Sequence, residues 1–299
     1  MSTDHKPPHR KSPRLSFLLK FFATATVDIL RPVRRVRAPD PLLEQDKLQV
    51  WMVGHATMLI NFYGTTILTD PVFGDWLPFP RRIVGPGLQL NQLPKLDIIL
   101  QSHTHWDHFH IPSVRQLASE DTTLIIAQNC SDLAEGMTFK EVIELGKGDT
   151  LEHKDITITT YQPHHWGQRV PWEQVKRGHN AYVIEKNGTT IFFSGDSGYG
   201  PVFREVGQKH RIDLSFLPIG AYRPRNFRKV HMNPEDALLA MSELGAKAMI
   251  PFHFGTFRLS EEPFQEPAAW LRQLLEERAI GGVTILEHGE SYEHDQEAI

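Results

Sequence analysis

Cysteine is almost missing from this chain, which has one, Cys130, among 299 residues. A single thiol cannot form a disulfide within the chain, and it excludes zinc sites built from several thiolates. Any bound metal ion must therefore be held by histidine and carboxylate side chains. The scarcity of cysteine also agrees with a cytoplasmic location, which we adopt as the expectation.

Long hydrophobic runs are missing as well. Residues 16–30 are apolar but interrupted by Lys20, and they fall short of the about 20 residues needed to span a bilayer. Hydrophobic residues make up 40% of the chain and charged residues 23%, which is typical of a globular protein. We expect an N-terminal arm at residues 1–40 and one globular domain at residues 41–299.

The net charge is small, −4, but it is unevenly distributed. Residues 1–40 carry nine basic and three acidic side chains, a net charge of +6, so the remaining residues carry −10. An acidic body argues against a nucleic-acid partner, and so against a nuclease. The basic arm instead predicts an anionic surface nearby, with lipid head groups as the first candidate.

The arm has two parts. Residues 1–15 are polar and contain proline, a composition typical of disorder. Residues 16–30 place apolar side chains on one helical face, and three interpretations stay open. The helix lies in a membrane interface as a peripheral contact, it packs on the body, or it belongs to a signal peptide ending near Ala23-Thr24-Ala25.

A histidine-rich motif follows the apolar stretch 96–100. It has the form His-x-His-x-Asp-His and consists of His103, His105, Asp107 and His108. Buried polar groups without partners cost a few kcal/mol each, so these side chains need a common partner at the end of the predicted strand. Imidazole and carboxylate together suit zinc, iron or manganese. The alternative is a histidine-rich polar loop.

Three more candidate ligands each follow an apolar stretch further along the chain: His165, Asp196 and His253. We expect one metal to bind His103, His105 and His165, and a second to bind Asp107, His108 and His253. Asp196 can bridge both, because a carboxylate has two oxygens. Metals about 3.5–4 Å apart can hold a hydroxide between them, and a bound metal lowers the pKa of water from about 15.7 to about 7. Asp107 faces the open side and can accept the proton of that water.

The order of elements predicts the architecture. Three strands come first, at 47–53, 58–62 and 66–69, and strands then alternate with helices. The further strands are expected at 96–101, 123–127, 141–145, 156–161, 180–185, 190–194, 213–217, 247–250 and 283–286, and the helices at 112–119, 131–135, 201–209, 234–244 and 264–279. This pattern predicts two sheets packed face to face with helices outside.

Several residues near the expected strand ends are candidates for supporting or substrate-binding roles. Asp70 can orient a metal-bound histidine, and His55 can contact substrate or be structural. His231 can protonate a leaving group or cap the helix that follows. Tyr222, Arg223 and Arg225 lie in a segment where a guanidinium could hold a phosphate or form a salt-bridged turn. The aromatic loop 71–95 is expected to form a wall of the site.

The motif resembles that of the metallo-β-lactamase superfamily. Within it, the stretches GHATMLINFYGTTILTDPVF, SHTHWDHFH, FFSGDSGYGPVFREVG, LPIGAYRPR, HMNPEDAL and HFGTFRLSEEP resemble the N-acyl-phosphatidylethanolamine phospholipase D family, over residues 48–292. The resemblance implies an α/β (α+β) fold, an αββα four-layer sandwich, with two zinc ions and hydrolysis of a phosphodiester. Residues 169–179 and 74–90 depart from the family pattern, which puts the lipid specificity in question.

Three functions follow from these observations. The first is a dinuclear zinc phosphodiesterase acting on an N-acyl-phosphatidylethanolamine-like phospholipid. The second is a lactonase or other small-substrate hydrolase, resembling the ascorbate-6-phosphate lactonase branch. The third is a non-enzymatic protein with a structural metal, which the open set of ligands disfavours. Manganese or iron could replace zinc, and the oligomeric state is undetermined.

Overall fold

The structure, a computed structural model, describes residues 28, 30–78, 80–170 and 172–294. Nearly all of the predicted helix at 16–30, and the whole of residues 1–15, lie outside the described residues. The division of the chain at residue 40 therefore stays a prediction. Within the described ranges the chain forms two β-sheets with α-helices packed on them.

The first sheet has the strand order β13-β1-β2-β3-β4-β5-β6. The three-strand antiparallel start predicted from the sequence is confirmed, and β3 to β6 then run parallel. The strands are β1 Leu48–Gly54, β2 Thr57–Phe62, β3 Thr65–Thr69, β4 Ile98–Leu100, β5 Thr123–Ala127, β6 Glu141–Leu145 and β13 Ser291–His294.

The second sheet has the order β12-β11-β10-β9-β8-β7. Its strands are β7 Thr150–His153, β8 Ile156–Tyr161, β9 Ala181–Lys186, β10 Thr189–Phe193, β11 Leu214–Pro218 and β12 Ala248–Phe252. The predicted hairpin between β9 and β10 is present, and its turn residues Asn187 and Gly188 both have the positive φ that such two-residue turns need.

The helices complete four layers. Helix α1, Ile111–Leu117, packs on the outer face of the first sheet. Helices α2, Val202–Lys209, α3, Pro234–Leu244, and α4, Glu266–Glu277, cover the outer face of the second. Short 3₁₀ helices lie at Leu90–Gln92, Ser131–Ala134 and Arg225–Lys229. The predicted αββα sandwich is therefore confirmed.

Strands in the middle of each sheet are apolar on both faces because both faces are covered. In β4, Ile98 and Leu100 point into the core between the sheets, while Ile99 points towards α1. Successive side chains of a strand alternate between faces, so two buried faces give a continuous apolar run. This is why the central strands could be predicted from the sequence.

The edge strands were predicted less well. Strands β7 and β13 alternate exposed and half-buried side chains and are rich in polar residues, so no apolar run marks them. The predicted strand at 283–286 is wrong, since only Val283 makes an isolated bridge, to Met249, and β13 closes the sheet instead. The last helix spans Glu266–Glu277 rather than 264–279, whereas the short turn of helix predicted near 131–135 is present as the 3₁₀ helix Ser131–Ala134.

No helix in the described ranges combines the length and the apolar character needed to cross a lipid bilayer.

The two sheets are tied together next to the histidine motif. Tyr182 of β9 is buried in the core between the sheets, and its hydroxyl donates a hydrogen bond of 2.7 Å to the carbonyl of Gln101. We expect Tyr182→Phe to lower the free energy of unfolding by about 1–2 kcal/mol, because it leaves a buried carbonyl with less hydrogen bonding.

Urea unfolding would measure this as a lower midpoint at an unchanged slope. The matched control is Tyr292→Phe on the half-exposed edge strand β13, where water can replace the lost hydrogen bond, with an expected change below about 0.5 kcal/mol. Equal stability of Tyr182→Phe and the unsubstituted protein would contradict the role given to this bond.

Candidate metal centre

The ends of four strands meet at one edge of the sandwich. The motif follows β4, His165 follows β8, Asp196 follows β10 and His253 follows β12. Gly195 lets the segment after β10 lie close to the segment after β4, because a Cβ on residue 195 would lie 2.7 Å from the Cβ of Ser102. All seven residues predicted as metal ligands are brought together at this edge.

The first cluster consists of three imidazoles whose nitrogens converge. The Nδ1 atom of His105 lies 3.0 Å from Nε2 of His103 and 3.1 Å from Nε2 of His165. In His165, Nδ1 lies 3.0 Å from the carbonyl oxygen of Val230, which can only accept. That bond places the proton of His165 on Nδ1 and leaves a lone pair on Nε2.

The proton on His103 is assigned in the same way. Ser102 Oγ donates to Asp70 Oδ2 over 2.5 Å, so it accepts from Nδ1 of His103 at 2.9 Å. Nε2 of His103 then also presents a lone pair to the cluster. Lone pairs of neutral imidazoles repel one another at this distance, whereas a cation between them would bind all three.

The second cluster combines imidazoles with carboxylates. His108 donates from Nδ1 to Asp70 Oδ2 over 2.7 Å, and its Nε2 lies 3.2 Å from Asp196 Oδ2. Nε2 of His253 lies 3.1 Å from the same oxygen and 3.4 Å from Asp107 Oδ2. His55, for which the sequence left substrate contact and a structural role open, joins this cluster, with Nε2 2.9 Å from Asp107 Oδ2.

Buried polar atoms without hydrogen-bond partners mark the same place. Among the described residues these include Asp196 Oδ1 and the Nδ1 atoms of His55, His231 and His253. Buried polar atoms are normally satisfied, so a group of orphans at one point indicates a missing partner. Imidazole nitrogens and carboxylate oxygens are the donors that zinc, iron and manganese accept, so the residues fit a metal centre.

The carboxylates of the second cluster also favour positive charge beside them. Burial disfavours a charged His108, but Asp196 and Asp107 outweigh it and raise the pKa of His108 well above its usual value. Burial would likewise raise the pKa of Asp196, yet His108 and His253 hold it well below its usual value. The carboxylates therefore stay ionised. A bound cation would balance their negative charge, which protonated imidazoles otherwise balance.

The first cluster is different, because its imidazoles are neutral. Burial, reinforced by His108, lowers the pKa of His103 well below its usual value. Burial also lowers the pKa of His105, to about 4. Neutral imidazole is the form that binds metals, so this cluster is ready to act as a ligand set.

Asp70 supports both clusters from behind. Its Oδ2 accepts from His108 directly and reaches His103 through Ser102. Its Oδ1 accepts from the backbone of Ser102 at 2.7 Å and from Gln101 Nε2 at 2.8 Å. The orienting role predicted for Asp70 agrees with this geometry, whereas the sequence did not single out Ser102. A serine gives no signal of its own until the fold places it between two such groups.

His231 lies beside the clusters. Its Nδ1 is 3.6 Å from Asp196 Oδ2, and its ring stacks on His253 with the centroids 5.5 Å apart. The alternative that it caps α3 is wrong, because the side chain of Asn233 accepts the hydrogen bond from the Asp236 amide at 2.8 Å. Whether His231 donates a proton to substrate stays a prediction.

The predicted phosphate-binding residues are less clearly connected to the clusters. The hydroxyl of Tyr222 and the guanidinium of Arg223 both contact Glu266 Oε1, each at 2.7 Å. The salt-bridged turn weighed as the alternative is thus what Arg223 forms. Arg225 is exposed at the start of the 3₁₀ helix Arg225–Lys229. Substrate contact by these three residues stays a prediction.

A sandwich of two sheets with buried histidines and aspartates at one edge defines a class of metal-dependent hydrolases. The chain belongs to this class by sequence as well: it is a member of the metallo-β-lactamase superfamily. The sequence model described as "Beta-lactamase superfamily domain" matches residues 65–254. The enzyme is thus a metal-dependent hydrolase, with the clusters above as its candidate metal-binding site.

Curated relatives include two kinds of hydrolase. N-acyl-phosphatidylethanolamine-hydrolyzing phospholipase D 1 of Caenorhabditis elegans is 31% identical over 84% of this chain and 76% of its own length. The mitochondrial enzyme of the same description from Saccharomyces cerevisiae is 31% identical over 76% of this chain and 51% of its own. A metal-dependent hydrolase of Methanopyrus kandleri is 26% identical over 82% of this chain and all of its own.

Solved structures share the fold. Igni18, a metallo hydrolase from Ignicoccus hospitalis, superposes with a TM-score of 0.65 at 19% identity, over 84% of this chain and 100% of that chain. The isothiocyanate hydrolase from Delia radicum gut bacteria gives 0.67 at 19% identity, over 82% and 98%. At this identity the likeness concerns the architecture alone.

The support from Asp70 leads to a prediction on metal affinity. We expect Asp70→Asn to weaken metal binding about 10- to 100-fold, because both carboxylate oxygens accept hydrogen bonds, from His108, Ser102 and Gln101, whereas the amide NH2 of asparagine would face donors at one of these positions. Competition with a chromophoric chelator would measure the change. Asp75→Asn, in the same loop but paired with Arg35 at the surface, is the control and should bind metal normally. Equal affinity of the two variants would exclude the orienting role.

Proposed function

We propose that this chain is a dinuclear zinc phosphodiesterase of the phospholipase D type, acting on N-acylated phosphatidylethanolamine. The observation that carries the proposal is the 31% identity to a protein described as hydrolysing that lipid, over 84% of this chain. Zinc is the metal we propose because the donors are nitrogen and oxygen, although manganese or iron could use the same ligands.

The position of Asp196 supports two metal ions rather than one. Its Oδ2 lies 3.1–3.2 Å from nitrogens of the second cluster, His253 and His108, and 3.9 Å from His165 of the first. A carboxylate between two ligand sets can bind a metal with each oxygen. In this proposal His103, His105 and His165 hold one ion, Asp107, His108 and His253 hold the other, and Asp196 bridges them.

The reaction proposed is hydrolysis of the phosphorus–oxygen bond to the N-acylethanolamine. When bound, the two cations supply Lewis acidity for the phosphate oxygens and acidify a water molecule to a pKa of about 7. The oxygen of that water bonds to phosphorus as the bond to the leaving oxygen breaks. The leaving oxygen takes up a proton, and the products are phosphatidic acid and an N-acylethanolamine.

The chain's own residues would move the protons. Asp107 faces the open side of the second cluster and is held by His55 at 2.9 Å, so its orientation is restricted while its other oxygen can accept the proton of the attacking water. His231 borders Asp196 and is the nearest candidate to deliver a proton to the leaving oxygen. Arg225 could hold the phosphate from outside, with Tyr222 and Arg223 fixing that segment against Glu266.

A second candidate is the hydrolysis of a small soluble substrate such as a lactone. It rests on the relative from Methanopyrus kandleri, whose description names a metal-dependent hydrolase and no lipid, and which this chain matches over the full length of that protein. The metal-binding residues would be the same, and only the groups around them would differ. The two candidates are therefore separated by substrate and not by chemistry.

The bridging position of Asp196 predicts the metal content. We expect two metal ions per chain by mass spectrometry of the zinc-loaded protein, and about one in Asp196→Asn, because one amide oxygen cannot serve two cations. Asp121→Asn, which alters a surface acid paired with Lys95, is the control and should retain two. A single ion in the unsubstituted protein would refute the bridging role.

The proposed substrate predicts activity on vesicles. Zinc-loaded protein should release phosphatidic acid from vesicles that contain N-acylated phosphatidylethanolamine, and chelation should stop it. His103→Ala should lower the rate at least about 100-fold, since it removes a ligand. His153→Ala, on the edge strand β7, should keep the rate of the unsubstituted protein.

Soluble lactones and small phosphodiesters provide the contrast. Turnover of these substrates with none on vesicles would reject the phospholipid proposal and favour the small-substrate hydrolase. Release of phosphatidic acid by His103→Ala at the normal rate would reject the assigned metal site.

A further inference from the structure

Three tryptophans are exposed around the metal centre. The side chains of Trp106, Trp166 and Trp172 have 38%, 42% and 79% of their surface accessible. Trp106 lies within the metal-binding motif, and Trp166 stacks on His165 with the ring centroids 4.5 Å apart. Large aromatic side chains are normally buried, so three exposed ones at one site indicate a contact surface.

Arg169 connects Trp106 with the segment that carries Trp172. Its guanidinium lies 3.8 Å from the ring centroid of Trp106 and donates 2.8 Å hydrogen bonds to the carbonyls of Thr104 and Phe109. Its backbone amide donates to Glu173, the neighbour of Trp172. The segment with Trp172 is thereby attached to the loop with Trp106. We call Trp106, Trp166, Trp172 and the exposed Val175 the tryptophan rim.

Positive charge surrounds the tryptophan rim although the body is acidic. Segments 162–180 and 219–233 contain seven arginines and lysines and a single acid, Glu173. Arg177, Arg223 and Arg228 are paired with carboxylates. The remaining exposed cations are Lys176 in the first segment and Arg225 and Lys229 in the second.

The two segments border the same histidine. Trp166 stacks on one side of His165, and the carbonyl of Val230, next to Lys229, accepts the hydrogen bond from its Nδ1. The exposed cations of the second segment therefore belong to the same mouth of the metal centre as the tryptophan rim. Indole rings with nearby lysine and arginine are the combination found where proteins meet the head-group region of a bilayer.

We propose that the tryptophan rim, together with Lys176, Arg225 and Lys229, docks the mouth of the metal centre onto the surface of a bilayer containing anionic phospholipid. The tryptophans would enter the head-group region while the cations face lipid phosphates. This inference rests on the proposed function, since docking brings a membrane lipid to the metal centre. It assigns membrane contact to the catalytic domain itself, independently of residues 1–40.

The test is binding of the full chain to vesicles of phosphatidylcholine with and without phosphatidylserine. We expect preferential binding to the anionic vesicles, and quenching of tryptophan fluorescence by brominated phosphatidylcholine within them. Trp172→Ala and Lys176→Glu should each lower the partition coefficient at least about fivefold, with residues 1–40 still present.

Matched controls lie at the opposite end of the sandwich. Leu42 is 77% exposed, and Lys140 precedes β6 at the edge away from the strand ends that carry the ligands. Leu42→Ala and Lys140→Glu should bind vesicles as the unsubstituted protein does. Circular dichroism would establish that all four variants are folded.

The outcomes separate this inference from the proposed function. Loss of vesicle binding in Trp172→Ala and Lys176→Glu, but not in the controls, supports docking even if no phospholipid is hydrolysed. An unchanged vesicle partition coefficient in both rim variants would overturn the docking inference, even if the protein cleaves N-acylated phosphatidylethanolamine. Loss of self-association in the rim variants, with vesicle binding retained, would likewise overturn it in favour of an interface between copies of the chain.

Discussion

Buried imidazoles and carboxylates at one edge of the sandwich constrain the rest of this structure. Five imidazoles and two carboxylates share a volume from which water is largely excluded, and the backbone carbonyl of Val230 and the carboxylate of Asp70 aim imidazole lone pairs inwards. Such an arrangement is unfavourable in a low dielectric unless a cation lies between the groups. Metal binding and the stability of this edge are therefore linked, and His103, His108 and His165 each have a hydrogen-bond partner on the side away from the other ligands.

Holding these groups requires unusual backbone geometry. His55, Asp70 and His253 all have positive φ, a conformation that costs non-glycine residues about 1 kcal/mol or more. All three lie directly after a strand, and the amide of His253 donates to the carbonyl of His55 at 3.0 Å, which joins the two sheets. The rigid core between the sheets maintains this strain, because its central strands are buried on both faces.

The metal centre and the selection of substrate belong to different parts of the chain. The ligands follow core strands, so relatives that act on different molecules can share them. The tryptophan rim and its cations lie on segments 162–180 and 219–233, which pack on the centre without forming sheet. Residues 169–179, where the sequence departs from the phospholipase D family pattern, include Trp172 and Lys176. A change of loop can thus alter the surface that meets substrate without moving a ligand.

The sequence alone predicted the class of protein, the central strands and the seven candidate ligands that the structure brings together, but not that His55 joins them. It could do so because apolar runs mark doubly covered strands, and because His103 to His108 have a spacing that few other constraints produce. It did not reveal β7 and β13, whose exposed edges need no apolar pattern, and it predicted a strand at 283–286 where only one bridge exists. Only the tertiary structure decided which ring nitrogen of His103 and of His165 carries the proton, that Ser102 connects Asp70 to His103, and that Arg223 pairs with Glu266. These features depend on distances between residues that are far apart in the chain. Local patterns in the sequence carry no information on such distances.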